Sequence, residues 1–312
     1  MKSYVFITGA AGGLGKAFAS ECAARHWNVF ITDISDEVLA PLATGLTRLY
    51  GVEVLYHPCD LTDSAARDVL WQHISQLGLR FHALINVAGV DYEGPFGERS
   101  LNELRTIIRL NIEATVEMTR RILPLRDPMR TLRVINVSSL AGYYPMPVKA
   151  VYAASKRFLL DFSLALRQEL ASSGVTITAL CPAGMPTNRN TIHSIRAQGW
   201  AGQVTTLNVG DVAARTLDLA LAGRSVYIPG FFNQLLRLLG SLVPASAVTA
   251  LIGQRWTKVR QKPQPTAAAP RPRRPVFGPI RLRNWRLDFH IPRKATVVFE
   301  KEMPAAENTA RA

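Results

Sequence analysis

The sequence predicts an α/β fold, a doubly wound parallel sheet with helices on both faces, forming a single catalytic domain with a C-terminal extension. Three observations carry this. Short apolar runs of strand length alternate with longer helix-forming segments. The first such run, Ser3–Thr8, passes at once into a glycine-rich turn and then a helix-like run from Lys16. Hydrophobic residues make up 48% of the chain, ample for a core.

Taken in order, Ser3–Thr8 reads as a buried strand and Gly9-Ala-Ala-Gly-Gly-Leu-Gly15 as the turn after it. A strand, a glycine-rich turn and a helix N-terminus together cradle a pyrophosphate with backbone amides and the helix dipole. Gly9, Gly13, Leu14 and Gly15 are the candidates, although such turns also serve only to turn a chain. No signal peptide is expected, because Met1-Lys-Ser runs straight into this strand. A second strand, Trp27–Asp33, ends 18 residues beyond Gly15. A carboxylate there is placed to accept hydrogen bonds from ribose hydroxyls and repels a ribose phosphate, which favours NAD over NADP. The plain alternative for Asp33 is a helix N-cap, a job Ser35 or Asp36 could do instead.

A third strand, Glu53–Cys59, leads to Asp60 and Leu61, with Asp60 also readable as a cap for the next helix. The fourth strand, Ala83–Ile85, opens Asn86-Val-Ala88-Gly89, where small residues allow close backbone approach. A long amphipathic segment, Ser100–Leu123, contains Asn111. Asparagine inside a helix is locally unfavourable and marks a backbone irregularity, a water site or a solvated position.

The next strand, Leu132–Val137, ends in Ser138-Ser139, with Tyr152 13 positions beyond Ser139 and Lys156 four further on. Residues at i and i+4 share a helical face. An ammonium beside a phenol favours the phenolate, so Tyr152 becomes a candidate proton donor and acceptor. Singly, each of these residues has an ordinary structural reading: a strand end, a half-buried aromatic, a surface lysine. The helix stops near Gly174, a strand follows at Val175–Leu180, and Cys181-Pro182-Ala183-Gly184-Met185-Pro186-Thr187 comes next. Residues 188–207 lie ahead of a helix at Asp211 and a last strand at Ser225–Gly230.

Jointly, TGxxxGxG, Asn86-Val-Ala-Gly89, Ser139, Tyr152-Ala-Ala-Ser-Lys156 and Pro182 resemble the short-chain dehydrogenase/reductase family in its classical branch, over roughly residues 1–230. The resemblance implies a Rossmann-like fold, an NAD(P) cofactor, a secondary alcohol or ketone substrate, and a homo-oligomer. It implies Tyr152 as acid/base and Lys156 as its partner and holder of the nicotinamide ribose. Ser139 is preferred to Ser138 as the residue that polarises the substrate oxygen, and Asn111 anchors a water relay. It places Asp60, Leu61, Asn86, Ala88, Gly89, Pro182, Gly184 and Thr187 along the cofactor. Ala183, inserted between proline and glycine, shifts the register of the last two. Residues 188–207 would be the substrate lid.

Beyond residue 230, Phe231–Ile252 is rich in leucine and phenylalanine, with Leu235, Leu238, Leu239 and Leu242 on one helical face. Residues 231–260 form a hydrophobic helical extension that either packs over the substrate pocket, makes an oligomer contact, or rests on a membrane interface through 231–262. Residues 261–312 are a basic, Pro-rich tail with weak strand signals at 276–302. From Arg255 onward there are 14 Lys/Arg and four Asp/Glu, so the net charge of +14 belongs mainly to this tail. Without an RNA-binding motif, a solvated tail is favoured over a nucleic-acid contact. The three cysteines and six histidines form no metal or disulfide pattern, which suits a reduced, cytoplasmic location. Two rivals stand beside the NAD-dependent dehydrogenase: an NADPH-dependent reductase of lipid-like or acyl ketones, and a nucleotide sensor that recruits a partner by its tail.

Overall fold

The computed structural model describes residues 2–185 and 207–260. Thr187, all but the last residue of the 188–207 segment, and the 261–312 tail lie outside the described residues. The described residues fall in one unit, Met1–Pro263.

Seven parallel strands form a sheet in the order β3-β2-β1-β4-β5-β6-β7. They are β1 (Ser3–Thr8), β2 (Asn28–Asp33), β3 (Val54–Pro58), β4 (Arg80–Asn86), β5 (Leu132–Val137), β6 (Val175–Leu180) and β7 (Val226–Tyr227). The strands alternate their side chains between two cores, as a period of two requires. Val5 and Ile7 of β1 enter one apolar cluster with Leu14, Phe18, Leu39 and Leu217. Tyr4 and Phe6 enter the other with Leu70, Trp71, Met118 and Ile122. Helices α1 (Gly13–Ala24), α2 (Asp36–Tyr50) and α7 (Val209–Leu221) supply the first layer. Helices α3 (Ser64–Gln76), α4 (Leu101–Ile107), α5 (Thr115–Ile122) and α6 (Ala150–Glu169) lie along the sheet's other face.

Thr8 pairs with Thr32 of β2 and Asn86 of β4, and Asn86 pairs with Asn136 of β5. The carboxyl ends of the strands are therefore level. The order reverses between β1 and β4, and ligands of open α/β sheets bind at such a switch point. The predicted strands match within one to three residues, except that the last one keeps only Val226–Tyr227 of 225–230. It is an edge strand with a single neighbour, and Gly230 already begins the turn into the next helix.

The 100–123 segment is helical but not regular. Between α4 and α5, Ile108–Ala114 is a π-helix, with Asn111 in its middle. Single-turn π segments inside α-helices recur at functional sites. Arg67 of α3, almost fully buried, holds this turn. Its guanidinium donates to the Leu61 carbonyl at 2.7 Å, to Glu117 at 2.6 Å and to Glu113 at 2.5 Å. After β7, α8 (Phe231–Ser241) and α9 (Ala245–Arg260) extend the chain.

Candidate active site

The glycine turn is built for close approach. Gly9 has φ +67°, and a Cβ there would lie 2.6 Å from the Ala88 nitrogen. A Cβ on Gly15 would lie 2.0 Å from the Gly9 carbonyl oxygen, so only glycine closes this turn. The N-cap of α1 is Gly12; no side chain caps the helix and no carboxylate stands in its first turn. The amides of the first turn, Gly13, Leu14 and Gly15, thus have no intrahelical partner and the helix dipole behind them, an arrangement that suits an anion. Thr8 props the facing loop by accepting from the amides of Val87 and Ala88 at 3.2 and 3.3 Å.

Asp33 borders the same cleft but is not a helix cap. Its carboxylate accepts from the Ala11 amide at 2.9 Å and from Ile34 at 2.8 Å, tying β2 to the glycine turn. Each carboxylate oxygen keeps a lone pair for a ribose hydroxyl. Nor does Asp60 cap α3. It accepts from the amide and hydroxyl of Thr62, and Asp63 is the cap, accepting from Ala65 at 2.9 Å. Leu61 is buried beside it. Asn86 turns inward, donating to Thr119 at 3.2 Å and to Asn136 at 2.8 Å, and Asn136 donates to Ser163 of α6. Its side chain braces the sheet, while Ala88 and Gly89 line the cleft. Pro182 and Gly184 line the opposite wall. These residues suit an extended dinucleotide: a glycine cradle that any Cβ would fill, and a carboxylate at the end of β2.

Ser139, Tyr152 and Lys156 line the cleft as well. Ser138 does not compete with Ser139, because its hydroxyl is buried and donates to the Lys156 carbonyl at 2.6 Å. The Ser139 hydroxyl accepts from the Ala141 amide at 3.1 Å. Lys156 is buried, and its ammonium donates to the Val137 carbonyl at 2.9 Å while lying 5.7 Å from the centre of the Tyr152 ring. Asn111, fully buried, accepts from the Val90 amide at 2.9 Å and donates to the Val90 carbonyl at 3.1 Å and to Ser155 at 3.0 Å. Gly89 makes this convergence possible. A Cβ there would lie 3.2 Å from both the Asn111 Oδ1 and the Lys156 Nζ.

The charge balance differs from the sequence expectation. Burial pushes the Tyr152 phenol up, and the Asp91 carboxylate adds to the rise. A hydrogen bond from Ser139 and the Lys149 ammonium oppose it. Lys156, expected to lower the phenol, directs its ammonium to a backbone carbonyl. Its own pKa falls to about 8, because burial disfavours the charged form and Asp91 and Cys181 only partly offset this.

Helices α8 and α9 and the turn between them wall the cleft with Leu236, Leu239, Gly240, Val243, Val248 and Leu251. The cleft-facing stripe on α8 is therefore Asn233, Leu236, Leu239 and Gly240. Of the four leucines read onto one helical face, Leu239 lines the cleft, and all four are exposed. The Tyr144 hydroxyl pins α8 by donating to the Leu236 carbonyl at 2.8 Å, and a Cβ on Gly240 would lie 2.4 Å from that tyrosine.

Sequence reasoning missed Asp91, Glu93 and Lys149. The Lys149 ammonium sits 2.5 Å from Asp91, 2.9 Å from Glu93 and 5.8 Å from the centre of the Tyr152 ring. The one signal in the sequence is position: Asp91 lies two residues past Gly89 and Lys149 three before Tyr152. Among the described residues there is no metal-binding cluster.

A family model described as "short chain dehydrogenase" matches residues 3–196. The chain is 30% identical over 214 residues to the ketoacyl reductase HetN of Nostoc sp., covering 68% of this chain and 74% of that protein. It is 33% identical over 196 residues to the very-long-chain 3-oxoacyl-CoA reductase of Anas platyrhynchos, covering 61% of this chain and 62% of that one. The solved short-chain dehydrogenase of Sphingobium yanoikuyae, in complex with NADPH, matches with a TM-score of 0.65 and 26% identity, covering 85% of this chain and 98% of that one.

Proposed function

Because the chain belongs to the short-chain dehydrogenase/reductase family, oxidoreductases that use NAD(P), we propose that it interconverts a long, apolar ketone and its secondary alcohol with NAD(H). What supports this reading is one cleft lined by the glycine cradle, by Ser139, Tyr152 and Lys156, and by the apolar wall of α8 and α9.

Gly9, Gly13, Leu14 and Gly15 would hold the pyrophosphate, Asp33 the adenosine ribose, and Asp60, Leu61, Ala88 and Gly89 the adenine end. Pro182 and Gly184 would flank the carboxamide end, and Lys156 would hold the nearby ribose. When bound, the nicotinamide supplies the hydride. Tyr152 gives a proton to the carbonyl oxygen in reduction and takes it back in oxidation. Ser139 donates a hydrogen bond to that oxygen as charge gathers on it, which is worth most in a dry pocket. Asn111 fixes the Val90 turn beside Lys156 and anchors the proton path behind it. NAD is preferred because a ribose phosphate would meet the Asp33 carboxylate, and neither residue before Gly13 or Gly15 is basic.

A keto group on an acyl thioester is the substrate that the apolar wall and the reductase names of the relatives favour. The outer face of α8 bears on the same point. Phe231, Leu238 and Leu242 are 74%, 55% and 75% exposed, and the sequence continues with Arg255, Lys258, Arg260 and Lys262. On this reading, the helix pair rests on an anionic lipid surface from which an apolar substrate enters. No helix among the described residues is long and apolar enough to cross a membrane. As is common in the family, a homo-oligomer is the expected assembly.

The test is NADH and NADPH consumption against ketones graded from short and polar to long and apolar, with Leu236→Ser alongside. Turnover should rise with chain length and the variant should lose the long substrates selectively. Equal turnover of short polar ketones, untouched by Leu236→Ser, contradicts the substrate class.

A further inference from the structure

We propose that Lys149, clamped between Asp91 and Glu93, is a positioning residue for the proton step at Tyr152. It holds the loop after β4 against the N-terminus of α6, and it sets the charge that the phenol meets. The inference rests on the reading of Tyr152 as the proton-transfer residue.

Geometry carries the first half. Asp91, Tyr92, Glu93 and Gly94 follow directly on the Val90 turn that Asn111 grips. Lys149 is the N-cap residue of α6, three positions before Tyr152. Two ion pairs, at 2.5 and 2.9 Å, join the loop to this cap, and the Gly94 amide donates to the Val148 carbonyl at 2.8 Å beside them. The Lys149 side chain is 18% exposed, so the pairs are shielded from solvent more than surface pairs are. Val148, a β-branched residue, sits at φ +61°, a conformation such residues avoid. A backbone held there marks a segment fixed by its surroundings.

Charge carries the second half. Among the described residues, the groups acting on Tyr152 come from three elements. Lys149 caps α6 and Lys156 lies on it, their ammonium nitrogens 5.8 and 5.7 Å from the ring centre. Asp91, with Glu93 behind it, comes from the loop after β4, and the Ser139 hydroxyl from the end of β5. Asp91 raises the phenol and Lys149 lowers it. Burial pulls against the Lys149 ammonium, but Asp91 and Glu93 together outweigh it and hold its pKa above that of a free lysine. Lys149 is therefore held in its charged form and offsets the Asp91 carboxylate beside the phenol.

A latch without an electrostatic role and a charge-setting residue differ in sign. The experiment is a pH titration of the full chain carrying tyrosine labelled with ¹³C at Cζ, followed by NMR, with Tyr152→Phe to assign the signal and circular dichroism to monitor the fold. Lys149→Met should raise the Tyr152 midpoint and Asp91→Asn should lower it, each by roughly half a unit or more. Lys149→Arg should restore the wild-type midpoint. Shifts of the same sign in both variants, or none, overturn the proposal and leave Lys149 a structural tie. This readout needs no substrate. If Tyr152→Phe keeps full turnover, the reading of Tyr152 fails instead, whatever the titration gives.

Discussion

Asn111 donates a hydrogen bond of 3.0 Å to Ser155, joining the π turn of one helix to the helix that carries Tyr152 and Lys156. The other polar atoms of Asn111 close on Val90, so a single amide side chain fixes three segments around the cleft. Asn111→Ala leaves buried partners unsatisfied and should cost roughly 3 kcal/mol in denaturant unfolding, with most turnover lost. Ser155→Ala removes two bonds, the one accepted from Asn111 and the one donated to the Tyr152 carbonyl at 2.7 Å, and should cost ~2 kcal/mol.

Gly15→Ala places a methyl against the Gly9 carbonyl, so the cradle must open. NADH affinity by calorimetry should fall at least ~tenfold, or about 1.4 kcal/mol. Gly45→Ala is the contrast. Nothing lies within 4 Å of that Cβ, in the middle of α2, and the variant should gain up to ~1 kcal/mol of stability with unchanged NADH binding.

His82 gives an acid-side prediction. Burial lowers its pKa from 6.5 to about 4, with Arg130 and Arg133 adding to the fall. Its folded pKa lies below its unfolded one, so the unfolded chain takes up the proton first as the pH falls. Stability should be constant above about pH 6.5 and drop between there and about pH 4 by roughly 3 kcal/mol from this group. His82→Gln should flatten that part of the curve in denaturant titrations at fixed pH.

Val148→Gly should relieve its left-handed backbone. Because glycine also gains freedom in the unfolded chain, the net gain is expected to be about 1 kcal/mol, read as a raised Tm. A loss of stability would mean that the Val148 side chain contributes packing that outweighs the backbone strain.

The sheet and the meeting of Ser139, Tyr152 and Lys156 in one cleft were legible because their signals are local. Ser139, Tyr152 and Lys156 lie in one strand–turn–helix stretch, whereas the amide at Asn111 allowed a backbone irregularity, a water site or a solvated position, and its burial inside a π turn excludes the last. The Lys149 clamp was not legible, since its Asp91 partner is 58 residues away in the chain. The balance of charges at Tyr152 likewise depends on distances that no spacing encodes. Leu235, Leu238, Leu239 and Leu242 do share one face of α8, but the cleft meets only the edge of that face, at Leu236 and Leu239 beside Asn233 and Gly240, and spacing along the helix does not encode how the helix is rotated against the sheet. The alternative reading of Asp60 as a helix cap fails because Asp63, three residues on, does that job.

The central claim is that Tyr152 moves the proton. It is tested most directly by comparing wild type and Tyr152→Phe for turnover of a long-chain ketone and, separately, for NADH binding. The account predicts a loss of roughly 10²–10⁴ in kcat with NADH affinity unchanged, the size of a lost general acid. Near-normal turnover in Tyr152→Phe would contradict it.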